Sequence, residues 1–247
     1  GYKASTYFNW CEIISSYDLK IVKAVLFDLF ETLVTQKYSD RPSEQSFVDK
    51  LGLNLDDVRV WWGDSARDRM TGKFATYQEM LSALCGSLGA SVESATVEEM
   101  SRDRLRRKRE YLLGVETEML QALSQLRSSG WTIGIVSNAT PDEVASWPEC
   151  PLRDVVDDAV FSCQIGYMKP DPEIYNLACD RLGISPTKTV FVGDGGFDEL
   201  QGAVAVGMRP VQARWYYARE IEWNAAAELS CIDEIDDLFH KLESMVS

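Results

Sequence analysis

A chain of 247 residues is long enough for one large domain, or for a core carrying a smaller accessory unit. Its 45% hydrophobic and 26% charged residues are ordinary for a soluble globular fold and exclude wholesale disorder. The net charge of -14 counts against a nucleic-acid surface and against adsorption to anionic membranes, although a metal ion could reverse the local field for a small anionic substrate.

Six cysteines lie at positions 11, 85, 150, 163, 179 and 231 with no CxxC pair. Scattered thiols of this kind read as reduced, so a reducing, cytoplasmic location is expected. The single histidine, His240, sits among Asp236, Asp237, Lys241 and Glu243, a surface-like setting that argues against Ser-His-Asp or Cys-His catalysis. No apolar run approaches the ~20 residues needed to span a bilayer. Residues 1–20 lack the long apolar stretch of a signal peptide.

In chain order, residues 1–20 form an extension whose Tyr2, Tyr7, Phe8, Trp10 and Tyr17 could pack on the core or on a partner. Residues 21–27 are apolar and rich in β-branched side chains up to Asp28, which predicts a strand buried on both faces. The region 38–111 lacks strong strand patterns. There Phe47, Val48 and Leu51, then Val58, Trp61 and Trp62, then Tyr77, Met80, Leu81 and Leu84, predict helices. Trp61, Trp62, Arg67, Arg69 and Lys73 are candidates for touching a substrate, although core packing of tryptophans and exposure of basic side chains is the commoner fate. The basic run 102–109 reads as a solvated helix face. A helix is expected over 116–129, then a strand over 132–136 ending in Ser137-Asn138, and a weaker strand over 159–161. A helix over 172–182 follows, a strand over 189–192 ending in Gly193-Asp194, a helix over 200–206 and a weak strand over 210–212. Strand alternating with helix predicts an α/β fold with a doubly wound parallel sheet.

In such a sheet, ligands bind beyond the carboxyl ends of the strands. The three strong strands end there in Asp28, Ser137-Asn138 and Asp194, with a Lys169-Pro170 turn between the second and third. Two carboxylates, a hydroxyl or amide, and one ammonium could ligate a hard cation, present a carboxylate nucleophile and neutralise phosphoryl charge. Singly, an Asp at a strand end is an ordinary helix cap and Lys-Pro an ordinary turn. Their joint placement is harder to dismiss.

Four segments in order resemble the motifs of the haloacid dehalogenase-like hydrolase superfamily. They are Val25-Leu26-Phe27-Asp28-Leu29-Phe30-Glu31-Thr32-Leu33-Val34, Ser137-Asn138, Lys169-Pro170-Asp171-Pro172-Glu173-Ile174-Tyr175, and Val192-Gly193-Asp194 with Gly202-Ala203. The resemblance covers residues 21 to about 211. It implies a Rossmann-like core over residues 21–37 and 112–247, with a helical cap domain over 38–111 inserted between the first and second motifs. It further implies that Asp28 attacks the electrophile and forms an aspartyl intermediate. Mg2+ would be held by Asp28, the backbone carbonyl of Phe30 and Asp194. Ser137, with the backbone amide of Asn138 as helper, would bind a phosphoryl oxygen, and Lys169 would balance charge. Two acids compete for the remaining place in the fourth motif. Spacing from Asp194 favours Asp198, whereas counting back from Gly202-Ala203 favours Glu199.

Two positions depart from the family's phosphatase pattern. Phosphatases of this family usually carry a second Asp where Phe30 stands, serving as a general acid worth ~10²–10⁴-fold in rate. An aromatic there is similar to haloacid dehalogenases, which cleave carbon-halogen bonds without metal. Glu31 replaces the usual glycine and adds a carboxylate to the turn. Asp194 followed by the Asp198-Glu199 pair weighs the other way, since dehalogenation needs no metal ligand there. The expectation is a Mg2+-dependent, phosphatase-like hydrolase of a small phosphorylated metabolite, without nucleic-acid or membrane partners. The alternatives are a metal-independent 2-haloacid dehalogenase-like hydrolase and a weakly active or non-catalytic binding protein.

Overall fold

Ala24–Phe27 form β1, a four-residue strand whose side chains are wholly buried. In the computed structural model, which describes residues 23–35, 43–225 and 227–246, β1 pairs in parallel with β2 (Thr132–Ser137) and β4 (Thr189–Gly193). With β3 (Asp158–Phe161), β5 (Arg209–Ala213) and β6 (Ser230–Ile232), the described residues give an all-parallel sheet of order β3-β2-β1-β4-β5-β6. The three-residue β6 is a strand that the sequence did not announce. The expected N-terminal extension, Cys11, positions 21 and 22 of the first expected strand, and residues 36–42 lie outside the described residues.

Alternate side chains of the central strands enter different apolar clusters. Val25, Phe27, Val190 and Val192 join one, while Leu26 and Phe191 join the other. Coverage on both faces is why these strands read as unbroken apolar runs.

Between β1 and β2 come α1 (Glu44–Leu51), α2 (Leu55–Asp64), α3 (Ala66–Met70), α4 (Tyr77–Ser87) and α5 (Ser94–Leu113). Three of them start on side-chain caps. Ser43 accepts from the Ser46 amide, Asn54 from those of Asp56 and Asp57, and Thr76 from that of Glu79. These helices bury their own apolar cluster, including Val48, Leu51, Leu81, Leu84 and Met100, and Trp61 and Trp62 pack against it. Of the basic candidates in this region, Arg67 pairs with Asp171 at 2.6 Å and Lys73 with Asp68 at 2.5 Å. Arg69 is buried over the Trp62 ring, 4.1 Å from its centroid.

The basic run is solvated on one side only. Arg104 and Lys108, one turn apart on α5, face the loop after β2. Arg104 pairs there with Asp142 at 2.5 Å, and Lys108 with Glu143 at 2.9 Å. Burial alone would push the Glu143 carboxyl up, yet Lys108 and Arg104 hold it down at about 2. Arg102, Arg106 and Arg109 face solvent.

A second contact fastens this insertion to the sheet. The Ser162 hydroxyl donates to the Met70 carbonyl at 2.6 Å, and Gly72 (φ 81°) follows closely. A Cβ on Gly72 would collide with the Cys163 carbonyl oxygen. Gly72→Ala is therefore expected to cost about 1–3 kcal/mol and to lower the melting temperature measured by calorimetry. An unchanged melting temperature would show that the contact yields.

After the insertion, α6 (Thr117–Ser128) covers the first face of the sheet with Met119, Leu123 and Leu126. The short α7 (Ser162–Ile165) follows β3. On the second face, α8 (Pro172–Leu182) supplies Ile174, Tyr175, Ala178 and Cys179, and α9 (Glu199–Ala205) supplies Leu200 and Ala203. The last helix, α10 (Leu238–Val246), returns to the first face through Leu238 and Leu242. The result is a doubly wound α/β sheet. The described cysteines are free thiols, and no described helix is long and apolar enough to cross a membrane.

Candidate active site

The strand order reverses between β1 and β4, since β1 leads to β2 and β3 on one side while β4 leads to β5 and β6 on the other. That reversal opens a crevice at the carboxyl ends of the two central strands. Asp28 emerges there directly from β1, its amide donating to the Val192 carbonyl at 2.8 Å. Asp194 emerges beside it, directly after β4.

Lys169 reaches the same point from the loop before α8. Asn138, just past β2, holds both backbone groups of Lys169. Its Nδ2 donates to the Lys169 carbonyl at 2.9 Å, and its Oδ1 accepts from the Lys169 amide at 2.7 Å. The fourth contributor is Glu199, the first residue of α9. The chain arrives there through Phe197 and Asp198, both with left-handed φ of 53°. Close packing of α9 then carries Glu199 inward. A Cβ on Gly202 would stand 2.7 Å from Tyr175 Oη and 2.8 Å from Pro170 Cβ, so only glycine fits. Tyr175 Oη donates to the Glu199 carbonyl at 2.7 Å.

The convergence is tight. Lys169 Nζ donates to Asp28 Oδ1 and to Glu199 Oε2. Thr32 Oγ1 donates to Asp28 Oδ2 at 3.2 Å. The Gly195 amide donates to Glu199 Oε1 and the Gly196 amide to Asp194 Oδ1, each at 2.9 Å. One carboxylate oxygen from each of Asp28, Asp194 and Glu199 lies within 4.8 Å of the other two, and all three residues are buried.

Burial pushes the Asp28 carboxyl up and the Asp194 charge adds to the rise, against the pull of Lys169. For Glu199, burial together with Asp28 and Asp194 outweighs Lys169 and pushes the carboxyl up to about 8. Burial works against the Lys169 ammonium, but Asp28 and Glu199 hold it above the ordinary lysine range.

The structure thus brings together Asp28, Lys169, Asp194 and Glu199. Asp198 is exposed and stays outside the cluster. Ser137 is fully buried at the end of β2, where its hydroxyl makes a long 3.5 Å contact to the Asn138 carbonyl. The Phe30 ring packs 5.3 Å from that of Tyr111, with Lys108 Nζ 5.9 Å from its centre. The Glu31 carboxylate accepts from Thr35 Oγ1 at 2.7 Å and from Tyr111 Oη at 3.2 Å. Two participants carried no assigned role in the sequence. Thr32 lies in the first motif, one turn beyond Asp28. Arg219, in the loop after β5, belongs to no motif, yet it donates to Asp194 Oδ2 through Nε at 3.0 Å and Nη2 at 2.8 Å.

A family model for haloacid dehalogenase-like hydrolases matches residues 22–207, the span that contains all four converging groups. The chain belongs to that family. The chain is 33% identical over 101 residues to (S)-2-haloacid dehalogenase 4A of Burkholderia cepacia, covering 40% of its length but only 43% of that protein. It is 27% identical over 192 residues to Phosphatase MT3486 of Mycobacterium tuberculosis, covering 76% of the chain and 85% of that protein. Among solved structures it resembles the L-2-haloacid dehalogenase RSc1362 with a TM-score of 0.62 at 19% identity, covering 90% of this chain and 99% of that one. At that identity the likeness concerns the fold alone. The chain therefore has relatives named for both chemistries, phosphatase and dehalogenase.

As a cation site, the donor set has the right chemistry. Carboxylate oxygens are the ligands that Mg2+ takes, and three buried carboxylates face the buried ammonium of Lys169.

Proposed function

We propose that the chain is a Mg2+-dependent hydrolase of small phosphorylated molecules, with Asp28 as the nucleophile. The observation that carries this reading is the gathering of one carboxylate oxygen each from Asp28, Asp194 and Glu199 within 4.8 Å, a buried donor set that outnumbers the ammonium of Lys169 and suits a divalent cation. Asp28, Asp194, Glu199 and the Phe30 backbone carbonyl would hold the ion, whereas exposed Asp198 would not. When bound, Mg2+ supplies charge neutralisation and Lewis acidity at the phosphoryl group.

The chain's own groups account for the remaining work. Lys169 fixes one Asp28 oxygen and Thr32 the other, which orients the carboxylate for attack on phosphorus. The new bond runs from Asp28 to phosphorus, and the bond to the leaving oxygen breaks. Ser137 and the Asn138 amide would receive a phosphoryl oxygen. Asn138 acts further as a positioning residue, through its grip on the Lys169 backbone. Water then attacks the aspartyl phosphate and restores Asp28. A reducing, cytoplasmic setting fits the described cysteines, which are free thiols.

Phe30 offers no proton to the leaving group, and Glu31 is turned toward Thr35 and Tyr111. Aryl and acyl phosphates, which depart as stable anions, should therefore react ~10²–10⁴-fold faster than alkyl phosphates. A flat dependence on leaving-group pKa would mean that another group donates the proton.

A second reading draws on Phe30 and Arg219. An aromatic beside the nucleophile and a guanidinium already on Asp194 fit metal-independent cleavage of a carbon-halogen bond. A panel of phosphate esters and 2-haloacids, each with Mg2+ or with EDTA, separates the two. The first reading expects phosphate release that vanishes in EDTA, returns with Mg2+ and falls at least ~10²-fold in Asp194→Asn. Halide release undiminished by EDTA would transfer the assignment to the second.

A further inference from the structure

Resting on the metal-dependent reading above, we propose that Arg219 is the resident counter-ion of Asp194, and that a divalent cation binds only by displacing it. Both oxygens of Asp194 are engaged. Arg219 grips Oδ2 through Nε and Nη2, and the Gly196 amide takes Oδ1. With Arg219 Nε and Nη2 on the two lone pairs of Oδ2, a metal ion reaches that oxygen only as the guanidinium leaves, and two positive charges at contact distance repel on whichever oxygen the ion sits.

The pairing is built rather than incidental. Gln212, buried on β5, donates through Nε2 to the Arg219 carbonyl at 2.7 Å and to the Asp194 carbonyl at 3.2 Å, which fixes the two residues side by side. Trp215 anchors the same loop to the turn of the nucleophile, its indole N–H donating to the Thr32 carbonyl at 2.9 Å. The two partners differ in freedom to leave. The Asp194 side chain is 7% exposed and that of Arg219 is 40% exposed. Arg219 can therefore withdraw into solvent along the Tyr217 ring, whose centre lies 5.4 Å from its guanidinium, while Asp194 stays in place.

Without the guanidinium, three buried carboxylates would face Lys169 alone. Arg219 lowers that excess negative charge in the metal-free protein, and the cation takes over the same task on arrival. The exchange weakens apparent metal affinity, because each binding event must break a charge-assisted contact.

The test is Mg2+ titration by calorimetry onto the wild-type protein, Arg219→Gln, Arg219→Lys and Asp194→Asn, without substrate, alongside melting curves in EDTA and in Mg2+. Arg219→Gln should bind Mg2+ at least ~10-fold more tightly than wild type, the worth of one charge-assisted contact. Its melting temperature should fall in EDTA and rise more than that of wild type on adding Mg2+. Arg219→Lys, which keeps the charge with fewer contacts, should lie between and stands in if Arg219→Gln does not fold. Asp194→Asn should not bind. Equal or weaker affinity in the Arg219 variants overturns the exchange while leaving the metal reading intact. A wild-type protein and variants that all ignore Mg2+ overturn both, and the wild-type titration tells the two failures apart.

Discussion

Asp28→Asn is expected to reduce turnover by on the order of 10³-fold or more on every substrate, with little change in melting temperature. The amide keeps the size and shape of the carboxylate. It retains an oxygen for Lys169 or Thr32, the two donors that hold Asp28. What it loses is the negative charge and with it the nucleophile. Stability should survive, because burial and Asp194 already push the Asp28 carboxyl toward its neutral form, so removing its charge also removes repulsion. Paired measurements of activity and melting therefore separate the nucleophile from a merely structural acid. Rapid quenching of the wild-type protein with substrate should show a phosphate-sized mass increase that the variant lacks. Near-normal activity in Asp28→Asn would end the covalent reading.

The core of the fold was legible because its physics is local. Residues covered on both faces have to be apolar at successive positions, and β1, β2 and β4 are. The edge strand β6 escaped notice because three residues, two of them only half-buried, leave no pattern. Asp28, Lys169 and Asp194 were legible because each stands where a strand or turn delivers it. The choice between Asp198 and Glu199 was not. It depends on two successive left-handed residues, Phe197 and Asp198, which turn the first acid outward and start α9 on the second. The direction of Glu31 depends likewise on a left-handed turn and on Tyr111, which lies far along the chain in α5. Arg219 lies 25 residues from Asp194 in a loop without periodicity, so only the folded chain brings them together. The basic run of α5 divides into docked and solvated members at a spacing of four, but the acids that receive it follow β2 and are visible only in three dimensions.

Lys169→Met should destabilise the metal-free protein by about 3–5 kcal/mol at pH 8, because it strips the shared cation from two buried carboxylates. The side chain is 2% exposed and bridges Asp28 and Glu199, so methionine fills its volume and removes only its charge. The pH dependence identifies the cause. Both carboxyls already titrate above their ordinary range in the folded protein, Glu199 at about 8, and losing Lys169 raises them further. A carboxyl raised by folding contributes stability that is fully present below its unfolded pKa and is lost as pH rises through its folded value. The deficit relative to wild type should accordingly be smaller near pH 5, where Glu199 is protonated, and grow toward pH 8. Denaturant midpoints in EDTA at the two pH values provide the measurement. The double variant Lys169→Met/Glu199→Gln should recover much of the loss at pH 8, since the amide needs no counter-ion. A deficit equal at both pH values, or no recovery in the double variant, would mean that Lys169 stabilises the site by packing and not by charge.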